Sequence, residues 1–471
     1  MYRFIALGLL LLIINTAVAN DTGNNEEKTR LIVLTDIENE PDDAQSLVRF
    51  LTYTNQWDVK GLIATTSIWQ QNEVADWRIY EILEAYEKVR PNLVKHADGY
   101  PTYDYLKSIV KTGLPKYGMN GVGPGQDSEG SEWIIRELEK DDPRPLWVIV
   151  WGGPNTLAQA LWKLKQNKSE EELSRLVDKL RVYTISDQDD SGPWMRKTFP
   201  DLFYIASPGY EHNGKGGYHF GTWTGISGDT FHGRFSGANR EVISEEWIDK
   251  NIQNNHGPLG AEYPDVEYLM EGDTPSFLHL IENGLNDPNH PGQGGWGGRY
   301  EHYTPHMRNF YFEPETRPFW TNAQDEVYSE IDERHHTRIQ ATIWRWREAY
   351  QNDFAARMDW CTQSYEEANH PPKVKTGLPD TLEVKAGEQV ELKASGSTDP
   401  DGDKLSYHWI YYREAGNSVY GRNMKGENTS AVSFQAPDMG QFPQYMHFVL
   451  EITDNGAPPL TRYDRVVVKV K

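Results

Sequence analysis

The sequence predicts an α/β fold, a mostly parallel sheet flanked by helices, followed by a C-terminal β-sandwich. From residue 31 onward, apolar strand-like runs alternate with helical periodicities, the pattern of right-handed βαβ units. After Pro371-Pro372 the pattern changes to short alternating strands at sandwich spacing. A chain of 471 residues is also too long for one ordinary core, so more than one domain is expected.

The elements follow in order. Arg3, an apolar run from Phe4 to Ile14 and the small residues Ala17-Val18-Ala19 have the layout of a secretory signal peptide, residues 1–19, and predict export to the periplasm or medium. That run is too short to span a bilayer, and no later stretch is long and apolar enough, so no membrane span is expected. Residues 20–29 form a polar tether. A strand at 31–35 leads into a helix from about 43 to 54, a strand over Val59–Thr66 and a helix over Asn72–Arg90 ended by Pro91. A helix over Glu132–Lys140, a strand over Leu146–Trp151, a helix over Pro154–Lys165 and a strand over Leu180–Ile185 come next. Residues 207–300 are weakly periodic and rich in Gly, Trp, Tyr and His, the character of functional loops. A long helix is expected over Thr337–Trp360, with His335-His336 facing solvent on a polar helix. The first domain is placed at 30–369 and the sandwich at 370–471, with strands at 381–384, 389–392, 405–410, 448–452 and 465–470.

A net charge of −23 repels phosphate polyanions, which argues against nucleic-acid polymers and anionic membranes and leaves a neutral small molecule or glycan as substrate. The 16 Trp and 26 Tyr supply rings able to stack on sugars, although most such residues serve cores. The lone Cys361 has no intrachain partner and lies beside Trp360 in an apolar helix, a poor setting for a thiol nucleophile. Nothing in the sequence specifies an oligomeric state.

The chemistry concentrates at one place. Asp36, Glu38, Glu40, Asp42 and Asp43 fall within eight positions, between the end of a strand and the start of a helix. In open α/β sheets that edge is where ligands bind. One or two acids there would cap the helix and favour its dipole. Five cannot stay ionised together without a counter-charge, and a hard cation held by oxygen ligands answers that need.

The spacing Asp36-x-Glu38-x-x-x-Asp42-Asp43-Ala44 resembles the Asp-x-Asp-Pro-Gly-x-Asp-Asp-Ala signature of nucleoside hydrolases. Gly61–Ser67, Trp151-Gly152-Gly153-Pro154-Asn155-Thr156 and Met270–Pro275 resemble later motifs of that family in the same order, over roughly residues 30–345. The likeness is to a divergent, secreted bacterial branch often labelled nucleoside-hydrolase-like or cellulose-binding, and the C-terminal segment resembles immunoglobulin-like modules of glycan-active enzymes.

The resemblance implies Ca²⁺ on Glu38, Asp43, Asp273 and the carbonyl of Gly152, with Asp42 as general base and Asp36 supporting the cluster. It departs from the family at Glu38, Glu40, Gly152 and Gly272, the last standing where the family has a histidine that could protonate the leaving group; Glu271, Glu40 or Asp189 is the substitute acid, with Glu271 the first choice. Asp36, Glu40, Asn155, Asp187, Asp189 and Trp296 complete the set expected to face substrate, Trp296 as a stacking platform in a glycine-rich loop. His212, His219 and His232 lack zinc-site spacing and are read as sugar-hydroxyl contacts. Asp399-Pro-Asp-Gly-Asp403 looks like a calcium loop but has Ile410 at the twelfth position, so it is read as a turn. The expectation is a secreted Ca²⁺-dependent hydrolase of glycosyl bonds, N-glycosyl by resemblance. An O-glycoside hydrolase and a non-catalytic carbohydrate-binding protein are the alternatives.

Overall fold

The structure, a computed structural model, describes residues 28–207, 217–305, 315–418 and 423–471. The expected signal peptide, most of the tether and His212 lie outside the described residues. The main sheet has eight strands, β1 (Thr29–Thr35), β2 (Trp57–Ala64), β3 (Val110–Thr112), β4 (Leu146–Val150), β5 (Leu180–Thr184), β6 (Phe203–Ala206), β7 (Tyr300–Tyr303) and β8 (Phe319–Asn322). Their order is β3-β2-β1-β4-β5-β6-β8-β7, parallel throughout except for β7 on β8.

Strand β1 shows why its sequence is apolar without alternation. Leu31 and Val33 point to one face and Ile32 and Leu34 to the other, and all four are buried because helices cover both faces. Helices α1 (Pro41–Thr52) and α2 (Asp76–His96) pack Leu47, Phe50, Ile79 and Leu83 on the first face. After α3 (Tyr103–Ser108), helices α4 (Glu129–Glu139) and α5 (Asn155–Asn167) pack Ile134, Leu138, Leu157 and Leu161 on the second.

Three expectations need correction. Helix α2 runs through Pro91 to His96, because buried Leu93 and His96 and the bonds from Asn92 Nδ2 to the Trp360 and Gln363 carbonyls hold its last turn in place. The long helix over 337–360 is instead a strand, Arg334–Arg338, then helices Ala341–Trp344 and Arg347–Asp359. The break lets Arg345 reach Asp325 while Arg347 makes a bidentate pair with buried Asp229. The histidine pair therefore sits on a strand; His335 is exposed, but His336 is buried against Asp332.

In the C-terminal part, a sheet of strands Thr381–Val384, Thr461–Val470, Gln444–Thr453 and Ser406–Tyr411 faces a pair formed by Gln389–Lys393 and Ala431–Gln435. Leu392 and Phe434 from the pair and Trp409, Phe448, Val466 and Val468 from the sheet share one core, as in a β-sandwich. Cys361 is buried and its thiol is pushed up by that burial, consistent with an inert packing role. Among the described residues no helix is long and apolar enough to cross a membrane.

Candidate active site

A cleft of about 180 Å³ opens at the C-terminal edge of the sheet. The β1–α1 turn supplies its acidic floor, Asp36, Glu40, Asp42 and Asp43, and the loop beyond β5 supplies Ser186 and Gln188. Gly272 and Asp273, from a segment far along the chain, complete its lining. One carboxylate oxygen each of Asp42, Asp43 and Asp273 lie within 4.8 Å of one another, so residues 230 positions apart in sequence meet at one point.

Local chemistry holds the turn in shape. The Thr35 hydroxyl donates to Asp43, and the Ile37 N–H donates to that hydroxyl at 3.1 Å. Pro41 occupies the first helical turn, where its missing N–H has no partner to lose. Asp42 accepts the Gly272 N–H at 3.2 Å, and a Cβ on Gly272 would lie 2.6 Å from the same carboxylate. Gly272 thus leaves room for the close approach of the Asp42 carboxylate. Gly152 plays the same part for Asp36, since a Cβ there would lie 2.5 Å from Asp36 Oδ1.

The electrostatics are those of crowded, desolvated anions. Burial, then the charges of Glu40 and Asp36, push Asp42 up to about 8, and burial pushes Asp36 up to about 6. Burial, then the charges of Asp36 and Asp42, raise Asp43 well above the carboxylate range, and burial, then the charges of Asp43, Asp42 and Asp36, raise Asp273 likewise. Asp36 Oδ1 and Asp273 Oδ2 are buried with no hydrogen-bond donor. Buried carboxylate oxygens without donors, converging from separate segments, fit a cation that is all-oxygen coordinated.

Several sequence expectations fall elsewhere. Glu38 adopts a positive φ of 74° and turns outward to Arg78 Nε at 3.1 Å, so it is not with the three clustered acids; Asp36 is the additional carboxylate facing the cleft. Glu271 is fully buried behind the cleft, paired with Arg49 at 2.8 Å and bonded by Tyr263 Oη and Thr274 Oγ1, and cannot serve as an acid facing substrate. Removing its charge by Glu271→Gln leaves the buried guanidinium short of a partner and is expected to cost about 1–3 kcal/mol, measurable by urea unfolding. Asp187 is buried in a bidentate pair with Arg196.

Asp189 is also buried, pushed up to about 7 by burial, and accepts the Ser191 and Asn155 N–H groups. Asn155 is buried too, its amide bonded to Thr66 and the Lys116 carbonyl. Together Asp189 and Asn155 staple the turns after β4 and β5 and hold Gly152 and Gly153 in position, without facing the cleft. Trp296 is 0 % exposed; it donates to Tyr463 Oη at 3.1 Å and lies edge-on to Tyr350, packing against the sandwich. The neighbouring Gly294 is needed because Tyr412 of the sandwich comes within 2.3 Å of where its Cβ would be, so the glycine-rich loop admits protein rather than ligand.

The upper wall is aromatic and was not resolved residue by residue in the sequence. Trp69, Tyr218, Trp223, Tyr268 and Leu269 line it with His232 and Arg234, and Trp69 and Tyr268 are each 55 % exposed at the rim. For all of these but Trp69 the available signal was the density of aromatics in 207–300, but no periodicity separated wall residues from packing residues. Arg234 presents Nε and Nη1 without an acceptor and lies over Trp223 at 6.0 Å. His232 is lowered to about 4 by burial and then by Arg234, so it is neutral at pH 7. The His219 carbonyl accepts a hydrogen bond from Gln340 Nε2 at 2.8 Å, and His219 is not part of the cleft wall.

Residues 30–300 match the model of the cellulose-binding Sde182 nucleoside hydrolase-like domain, and residues 389–470 match the C-terminal domain of cellulose-binding protein Sde0182. A solved nucleoside hydrolase-related hypothetical protein from Saccharophagus degradans, described as associated with carbohydrate metabolism, is 38 % identical, with a TM-score of 0.78 over 94 % of this chain and 100 % of its own. The effector XOO4466 and the type III effector XopQ complexed with adenosine diphosphate ribose are each 10 % identical over 71 % of this chain and over 94 % and 95 % of their own, with TM-scores of 0.33 and 0.29, too distant to bear on the site. No curated protein matches.

Proposed function

The chain belongs to the family of cellulose-binding Sde182 proteins with a nucleoside-hydrolase-like domain, and from that carbohydrate-related footing we propose that it is an exported, Ca²⁺-dependent hydrolase of glycosyl bonds. The observation that carries the reading is the convergence of Asp42, Asp43 and Asp273 in a cleft that also exposes a second acid, Glu40, and an aromatic wall. A binding module needs the aromatic wall but has no use for a carboxylate such as Asp42 placed as a base beside the ion-holding acids. Asp36, Asp43 and Asp273 are the residues that would hold the ion, with Asp42 at its edge. When bound, Ca²⁺ supplies the counter-charge these acids lack and polarises the oxygens it gathers.

The remaining chemistry belongs to the chain. The Gly272 N–H orients one oxygen of Asp42 and leaves the other to take a proton from water as that water attacks the anomeric carbon. The bond to the leaving group breaks through an oxocarbenium-like state, which the negative floor stabilises. Glu40 has its pKa raised by burial and by Asp36, which suits it to return a proton to the leaving atom. Rim residues Trp69 and Tyr268 offer ring faces to the sugar or aglycone. A cleft of about 180 Å³ suits one sugar unit rather than a long chain.

Glu40→Gln is expected to slow glycosides with poor leaving groups by about 10²-fold or more and nitrophenyl glycosides much less, since good leaving groups need no proton. Equal loss on both would remove Glu40 from the acid role. The function itself is tested by assaying purified protein on nucleosides, nitrophenyl glycosides and cello-oligosaccharides with and without chelator. Chelator-sensitive release of sugar from any class supports the proposal. Binding of cello-oligosaccharide without turnover of any class would favour the carbohydrate-binding reading, for which the exposed Trp69 and Tyr268 rings speak.

A further inference from the structure

The Asp399-Pro-Asp-Gly-Asp403 turn in the sandwich is built in a way that a simple turn does not require. Asp399 Oδ1 accepts the N–H groups of Asp401 at 2.9 Å and Asp403 at 3.0 Å, while its Oδ2 is buried with no donor. Asp454, on a separate loop, is only 4 % exposed. Its Oδ1 accepts from Asn369 Nδ2, Gly456 N and Leu460 N at 3.1, 3.0 and 2.9 Å, and its Oδ2 is likewise buried with no donor. The Lys404 N–H donates to Asn455 Oδ1 at 2.6 Å and clamps the two loops together. Burial raises the proton affinity of Asp454, and the charge of nearby Asp399 adds to it.

Two neighbouring carboxylates, each with one oxygen satisfied and the other buried without a donor, have the unmet demand of a cation site. The available donors are oxygens. The nearby His370 is already engaged, with ring nitrogens on Asp401 and His96. This donor set selects a hard cation over zinc, and flexible loop ligands suit Ca²⁺ better than Mg²⁺. We propose that Asp399 and Asp454, with the remaining oxygens of the 399–403 loop, form a second Ca²⁺ site. Because Asn369 is bonded to Asp454 and His370 to Asp401, the ion would brace the chain that enters the sandwich. The site is independent of the catalytic reading.

The test is the number of ions bound. Full-length protein stripped with chelator is titrated with Ca²⁺ by calorimetry, alongside Asp454→Asn, Asp399→Asn and Asp43→Asn, with circular dichroism checking the fold. Two equivalents in the parent chain, and loss of one of them in both Asp454→Asn and Asp399→Asn, are expected; Asp43→Asn loses the other. If Asp454→Asn fails to fold, Asp399→Asn on its more exposed loop decides. Retention of the parent number of equivalents by folded Asp399→Asn, or none bound by the parent, overturns the proposal. A parent that binds one ion, lost in Asp399→Asn and kept in Asp43→Asn, upholds this site and overturns the catalytic one.

Discussion

Asp42→Asn is expected to lower turnover by about two to four orders of magnitude while the protein stays folded. The substitution keeps an oxygen for the Gly272 N–H and nearly the same volume, so the close contact with Gly272 survives. What it removes is the ability to take a proton. Asp42 also sits among Glu40, Asp36, Asp43 and Asp273, where ionising it is costly, so a neutral amide of the same shape spares that cost and the variant should be no less stable than the parent. Lower turnover with an unchanged or higher melting temperature therefore separates a base from a structural acid. Near-full activity in Asp42→Asn would move the base elsewhere.

Removal of divalent ions is expected to abolish turnover and to make stability depend on pH. Asp36 and Asp42 have folded-state pKa values raised to about 6 and about 8, above those of the unfolded chain, so the ion-free folded state binds more protons than the unfolded state. That contribution is fully present below about pH 4 and is lost as pH rises through about 6 and then about 8. Thermal melts of chelated protein should show a falling melting temperature between pH 5 and pH 8, several degrees over the range. Added Ca²⁺ should raise it most at the upper end, where the acids must ionise, with about 4 kcal/mol available at a thousandfold excess over Kd. Zn²⁺ should restore little, because the described cluster contains only carboxylates. A melting temperature indifferent to chelator across this range would contradict a cation at these residues.

How much of this was legible in the sequence depended on how local each signal was. The parallel sheet could be read because Leu31–Leu34 and Leu146–Val150 are continuous apolar runs, which only a strand covered on both faces tolerates. The acidic turn could be read because five carboxylates in eight positions exceed what capping needs. Side-chain direction could not. Glu38 lies in the same motif as Asp36 and Asp43, yet a positive φ and the pull of Arg78, forty residues on, turn it away. Glu271 adjoins Gly272 and Asp273 but points back to Arg49, another long-range partner. Trp296 and its glycines had the composition of a ligand loop, and the sandwich that covers them was too remote in sequence to be inferred as their partner. Asp187, Asp189 and Asn155 sit at the right edge of the sheet, one layer too deep.

The central claim is that one cation joins Asp43 to Asp273 in the cleft beside Asp42. A crystal structure of the full chain grown with Ca²⁺, with anomalous density measured at a wavelength that distinguishes calcium, tests it most directly. An ion about 2.3–2.6 Å from carboxylate oxygens of Asp43 and Asp273, with Asp36 contributing and Glu38 still on Arg78, is the predicted result. A cleft without an ion at saturating Ca²⁺, its acids bonded only to water, would contradict it.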